Sequence, residues 1–67
     1  MDMINVKSSA ISSIGYDALT KKMKIKFKYG HAYSFCRVPE EIYKKFLNSS
    51  SKGTFYQKHI KDKFNCF

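Results

Sequence analysis

The octapeptide Lys22-Met23-Lys24-Ile25-Lys26-Phe27-Lys28-Tyr29 constrains the fold more than any other stretch of this chain. Apolar and cationic residues alternate without exception. Only an extended strand, whose side chains point to opposite faces in turn, can put all four apolar groups on one side. Met23, Ile25, Phe27 and Tyr29 are expected to face a core, and Lys22, Lys24, Lys26 and Lys28 solvent. Gly30-His31 follows as a tight turn. Ala32 to Val38 then returns as the antiparallel partner, with Tyr33 and Phe35 on one face and Arg37 on the same side nearer its end.

The rest of the chain reads around this hairpin. Met3 to Ser8 alternates weakly and forms a short strand. Ile11, Ile14 and Tyr16 break period two, which predicts a bulge or turn near Ser12-Ser13. Asp17 to Lys22 carries the turn into the lysine strand. Pro39, followed by Glu40 and Glu41, suits the first turn of a helix. Ile42, Tyr43, Phe46 and Leu47 give that helix one apolar stripe. A second helix is expected from about Thr54 to Phe64, with Tyr56, Ile60 and Phe64 on one face. The tail Asn65-Cys66-Phe67 docks or frays. The expected architecture is α+β: a small antiparallel β-meander followed by two C-terminal α-helices, in one domain spanning residues 1–67.

The segment Ser49-Ser50-Ser51-Lys52-Gly53-Thr54 carries the most chemical information. Thr54 with Gln57 three residues on reads as a capping box. The N–H groups that begin a helix suit an anion, Lys52 adds a full charge, and Gly53 lets a ligand approach the backbone. Ser, Gly and Lys are also ordinary loop residues, so a plain capped loop remains open as a reading. Ser8 and Ser9 form a second hydroxyl pair able to bind phosphate or ribose oxygens. Tyr33, Phe55 and Tyr56, expected as exposed rings flanking the basic residues Arg37, Lys52 and Lys58, are candidates to stack on a base, with Arg37 holding a phosphate bidentately. Tyr56 also shares a stripe with Ile60 and Phe64, which suits a core role.

Thirteen Lys and Arg against five Asp and Glu leave a net charge of +8 in 67 residues. This favours an anionic partner. The strand lysines stand roughly 6.6–6.8 Å apart, a spacing able to track a single-stranded backbone, although such a face also serves simple solvation. Eleven aromatic rings are more than a small core needs. The surplus suits an oligomer interface or base stacking. No paired carboxylates, metal-ligand spacing or nucleophile motif is present, so neither catalytic residues, a metal nor a cofactor is expected. Cys36 reads as a small buried residue and Cys66 as a tail residue, both unpaired. No apolar run approaches the length of a bilayer span; a cytoplasmic protein is expected.

Taken together, these residues resemble the KTSC domain family, short domains found alone in bacteria and phages and appended to some lysyl-tRNA synthetases. The resemblance runs from about Val6 to Phe64. It is carried by Ser8-Ser9-x-Ile11, Ile14-Gly15-Tyr16-Asp17 and Ile25-x-Phe27-x-x-Gly30-x-x-Tyr33-x-Phe35. Val38-Pro39 with Tyr43 and Phe46, and Ser51-Lys52-Gly53-x-Phe55 with Ile60, complete it. It implies short antiparallel strands with two helices. Functionally it implies either RNA binding, through the synthetase association, or, for a free-standing phage-type protein, capture of a host nucleotide signal. The leading expectation is a non-enzymatic homo-oligomeric sponge for a cyclic dinucleotide or oligonucleotide immune signal, acting in the host cytoplasm. Its ligand-binding residues are expected to be Ser8, Ser9, Tyr33, Arg37, Ser51, Lys52, Gly53 and Tyr56. The alternative is an RNA or single-stranded nucleic-acid module using the lysine face.

Overall fold

The alternating lysine strand stands in the middle of the molecule. In the computed structural model, which describes residues 1–66, it is β3, Lys22–Phe27. It pairs with β2, Ile11–Asp17, on one side and with β4, Ala32–Phe35, on the other. A three-residue strand β1, Met3–Asn5, pairs with the outer edge of β2. The sheet is an antiparallel meander in the order β1-β2-β3-β4. The irregularity foreseen at Ser12-Ser13 is present as a register shift between Ile11 and Ser13. It lets both Ile11 and Ile14 face the core, which strict alternation forbids.

One face of the sheet is covered by helices. Helix α1, Glu40–Asn48, begins after an extended Pro39 whose carbonyl accepts the Ile42 and Tyr43 N–H groups. It presents Phe46, fully buried, to a core of Ile11, Ile14, Met23, Ile25, Phe27, Phe35, Val38 and Ile60. The second helix has two parts. The α-helical turn α2, Lys52–Phe55, runs into a π-helical turn, Tyr56–Ile60, in which Lys61 N–H donates to the Tyr56 carbonyl. The fold is thus α+β, an antiparallel meander followed by two C-terminal helices.

The opposite face of the sheet is open. Across it, the register aligns Met3, Gly15, Lys24 and Ser34 in one rung and Asn5, Ser13, Lys26 and Ala32 in the next. Each central lysine is therefore flanked by small side chains. Gly15 leaves the room that Met3 uses: a Cβ there would meet the Met3 sulfur at 2.5 Å and the Asp2 carbonyl oxygen at 3.1 Å.

Several expectations are corrected. β3 ends at Phe27, because the hairpin closes there: Phe27 N–H donates to His31 O and Gly30 N–H to Phe27 O, with Gly30 at φ +107°. Tyr29 consequently leaves the core and is 65% exposed. β1 stops at Asn5 and β4 at Phe35, short of Ser8 and Val38. The second helix spans 52–60 rather than 54–64. Ser51, not Thr54, is its N-cap residue, and the Ser51 hydroxyl donates to the Thr54 hydroxyl, so no capping box forms. Cys36 and Cys66 are joined in a disulfide. The chain after the second helix folds back along the end of β4, where Cys36 N–H donates to Phe64 O at 2.9 Å. Asp62 permits this reversal by adopting φ +63°. A separation of 30 residues gives no sequence sign of that juxtaposition. Phe67, the last ring of the aromatic stock, lies outside the described residues.

Candidate functional site: a lysine–hydroxyl groove beside an aromatic cleft

Two hydroxyl-rich segments far apart in sequence meet in space. The loop between β1 and β2 brings Lys7, Ser8 and Ser9 to one wall of a groove of about 350 Å³. Ser50, Ser51, Lys52, Gly53, Thr54 and Gln57, at the entry to the second helix, form the other wall. Each wall has a local cause. The Ser8 hydroxyl accepts the N–H groups of Ala10 and Ile11, both at 3.1 Å, and so turns the chain into β2. Its lone pairs are committed, but its own proton can be donated to a ligand. Lys52 is half-buried, and its Nζ donates to the Ser49 carbonyl at 3.0 Å. That bond fixes the ammonium at the groove and leaves two further protons. Thr54 accepts from Ser51 at 2.9 Å and likewise keeps its hydroxyl proton.

Lys7 and Lys52 set the electrostatics. A four-residue α2 has little macrodipole of its own, so the expected contribution of a helix start is minor beside two full charges. Among the described residues the groove lining contains neither carboxylate nor histidine, and no three His, Cys, Asp or Glu side chains converge on a possible metal position.

A second cavity, of about 320 Å³, adjoins the first. It is lined by Ala10, Phe27, Tyr29, Tyr33, Gly53, Tyr56, Gln57 and Lys61. Tyr56 stands edge-on to Phe27 and Phe35, with centroids at 5.1 and 6.1 Å. Tyr29 stacks on Phe27 at 5.3 Å, and Tyr33 meets the same ring edge-on at 5.6 Å. Phe27 thus anchors three tyrosines. The phenol of Tyr56 is held above its ordinary pKa by lost hydration first, then by Tyr29, Tyr33 and Asp62. That of Tyr29 is raised by lost hydration and by Tyr33 beside it.

Five of the eight expected site residues, Ser8, Ser9, Ser51, Lys52 and Gly53, line the groove. Tyr33 and Tyr56 line the aromatic cleft, which Gly53 also reaches. Arg37 lines neither. It lies past the end of β4 at φ +56° and is exposed. Phe55, expected as an exposed ring, is half-buried and stacks on Phe46 at 5.4 Å. Lys7, Thr54, Gln57 and Tyr29 were not legible as site residues. Lys7 directly precedes Ser8-Ser9, which was the available signal for it. Tyr29 depended on where β3 stops.

Comparison with known proteins agrees with this architecture. The KTSC domain family matches residues 7–64. A KTSC domain protein from Yersinia pestis, known from its crystal structure, superposes with a TM-score of 0.93 at 38% identity, over 96% of this chain and 90% of that one. A protein from Tsukamurella paurometabola is 34% identical over 59 residues, 88% of each chain. A lysine–tRNA ligase from Nostoc punctiforme is 31% identical over 62 residues. Those 62 residues are 92% of this chain, but the chain spans only 11% of the ligase's length. Among the described residues, no helix is long and apolar enough to cross a membrane. With its sheet, helices and most of its length matched in this way, the chain belongs to the KTSC domain family.

Proposed function

We propose that this protein is a non-enzymatic, homo-oligomeric module that sequesters a phosphate-bearing nucleotide, most concretely a phage-type sponge for cyclic dinucleotide or oligonucleotide immune signals. The observation that carries the reading is the groove itself. Lys7 and Lys52 face five hydroxyl groups and no acid among its described lining residues. Such a set holds an anion by charge-assisted hydrogen bonds, and no histidine or carboxylate stands among the described lining residues. The groove is open, and a chain of this size encloses little of a cyclic dinucleotide. Two copies sharing one ligand between their grooves cover it better.

Native mass spectrometry against cyclic dinucleotides, cyclic trinucleotides and a short oligo-U RNA tests this reading. The expected result is an oligomer retaining a cyclic nucleotide at fixed stoichiometry, released chemically unchanged. Lys52→Ala should weaken retention by about tenfold or more, the value of a hydrogen bond to a charged group. Unchanged affinity in that variant removes the groove from the site. A monomer taking up only RNA, in variable number, sinks the sponge.

A second reading has its own observation. Lys24 and Lys26 stand among small neighbours on the open sheet face, with the helices on the other side. A single-stranded nucleic acid can follow such a row. The relatives named lysine–tRNA ligase support this alternative, since their name places a like segment beside tRNA chemistry.

A further inference from the structure

We propose that the lysine–hydroxyl groove and the aromatic cleft are two halves of one nucleotide site, with Gly53 as the sill over which the sugar passes. This rests on the groove being a phosphate site, and adds where the base goes and what reads it.

Gly53 and Gln57 line both cavities, so the two meet at these residues. The glycine is not required by the fold. It lies inside α2, and Gly30 is the glycine with a positive φ. A Cβ added to Gly53 would meet only the Ala10 Cβ, at 3.8 Å, an ordinary contact. Alanine in a helix is more stable than glycine, so local structure favours the residue that is absent. What the missing methyl leaves open is the space between Gly53 and Ala10, at the mouth of the aromatic cleft. Bare backbone there lets a ribose lie close against the helix.

Beyond the sill the chemistry changes from cationic to aromatic. Tyr33 is 46% exposed and Tyr29 65% exposed, yet both are backed by the buried Phe27 ring. They form a supported platform with accessible faces, the arrangement on which a base stacks. Gln57, on the boundary, carries both a donor and an acceptor for a base edge. Lys61 stands on the far lining. Each cavity alone is at the small end for a ligand site, whereas the pair side by side matches a nucleotide. The ligand is therefore a nucleoside phosphate with its phosphate against Lys7 and Lys52 and its base against Tyr29 and Tyr33.

Amide and aromatic NMR titrations, which read millimolar affinities, test the assignment with adenosine monophosphate, uridine monophosphate and ribose 5-phosphate. Ribose 5-phosphate has the sugar and phosphate but no base. It should shift groove amides alone. Both mononucleotides should also shift the Tyr29 and Tyr33 rings and bind at least about fivefold tighter, the lower bound for one stacked base. Gly53→Ala should lose that advantage and melt about 2–5 °C higher. Tyr33→Leu should also lose the advantage. Equal affinities with unmoved tyrosine signals, while Lys52→Ala weakens all three probes, overturn this inference and leave the phosphate groove standing. If no probe binds the unmodified protein, the groove reading fails and this inference falls with it.

Discussion

At the scale of single residues, Tyr16 links more of the structure than its place near the end of β2 suggests. Its hydroxyl donates to the Val38 carbonyl at 2.6 Å, and its ring stacks on Tyr43 of α1 at 4.5 Å. One side chain thereby ties the sheet to the β4–α1 connection and to the helix. Tyr16→Phe keeps the stack and strands the carbonyl, and should cost about 1–2 kcal/mol in urea denaturation. The phenol also makes a pH prediction. Lost hydration, then the carboxylates of Glu40 and Asp17, hold it above its usual value of 10. The folded state therefore binds this proton more tightly than the unfolded chain. The resulting stability is fully present below pH 10 and is lost as pH rises through the folded-state value. Melting temperatures measured from pH 8 to 11.5 should fall more steeply above pH 10 for the unmodified protein than for Tyr16→Phe. Parallel curves would show that this phenol contributes nothing to the alkaline loss.

At the scale of elements, Phe46 is the apolar ring that joins both helices to the sheet. It is fully buried on α1 and stacks on Phe55 of α2. Phe46→Ala should cost about 3–5 kcal/mol. That rivals the whole stability expected of a core this small, so circular dichroism should show a largely unfolded chain at 25 °C, with Phe46→Leu still folded. Phe46 was legible beforehand because a helical stripe depends only on local spacing, as did the β3 alternation and the bulge demanded by Ile11 and Ile14. The misread features depend on contacts between distant segments. Nothing in the local pattern told that the hairpin closes at Phe27 and turns Tyr29 outward. The second helix opens at Ser51, whose carbonyl accepts the Phe55 N–H at 3.0 Å, and its π-helical turn keeps Tyr56 over Phe27 and Ile60 in the core at once. The groove was half legible for the same reason: each serine segment stands out alone, but only the fold sets them face to face. The Cys36–Cys66 bridge is the extreme case. Closing a loop of 30 residues is worth about 3–4 kcal/mol in the chain-entropy account. Reductant should therefore lower the melting temperature by about 10 °C or more, and Cys66→Ser should abolish that response. A melting temperature indifferent to reductant would mean that the bridge adds nothing to the packing of Phe64 and its backbone hydrogen bond to Cys36.

At the scale of the whole molecule, two sets of the cations behind the charge of +8 lie on surfaces that do not share a residue. Lys7, Lys52 and Lys61 belong to the groove and cleft, whereas Lys24 and Lys26 occupy the open sheet face. The nucleotide and nucleic-acid readings can thus be separated by charge removal. Replacing Lys24, Lys26 and Lys28 with Gln takes cations from exposed positions, the first two beside small neighbours across the sheet and the third in the turn after β3, so the fold should persist. If the sheet face carries a single strand, affinity for oligo-U should fall with salt at a log–log slope of about −0.7 per phosphate engaged. The triple variant should then lose about two units of that slope and most of its affinity, while Lys52→Ala binds RNA nearly as before. If the groove and cleft carry a compact nucleotide, the pattern reverses. Affinity depends weakly on salt because few phosphates are held, the triple variant retains the ligand, and Lys52→Ala releases it. Fluorescence anisotropy with labelled oligo-U and a labelled cyclic dinucleotide, each between 50 and 300 mM salt (~ the range over which surface charges become screened), reads both patterns on the same three proteins. Loss of both ligands in the triple variant, with its melting temperature unchanged, would contradict the division of charge itself and assign the two faces to one continuous anion path.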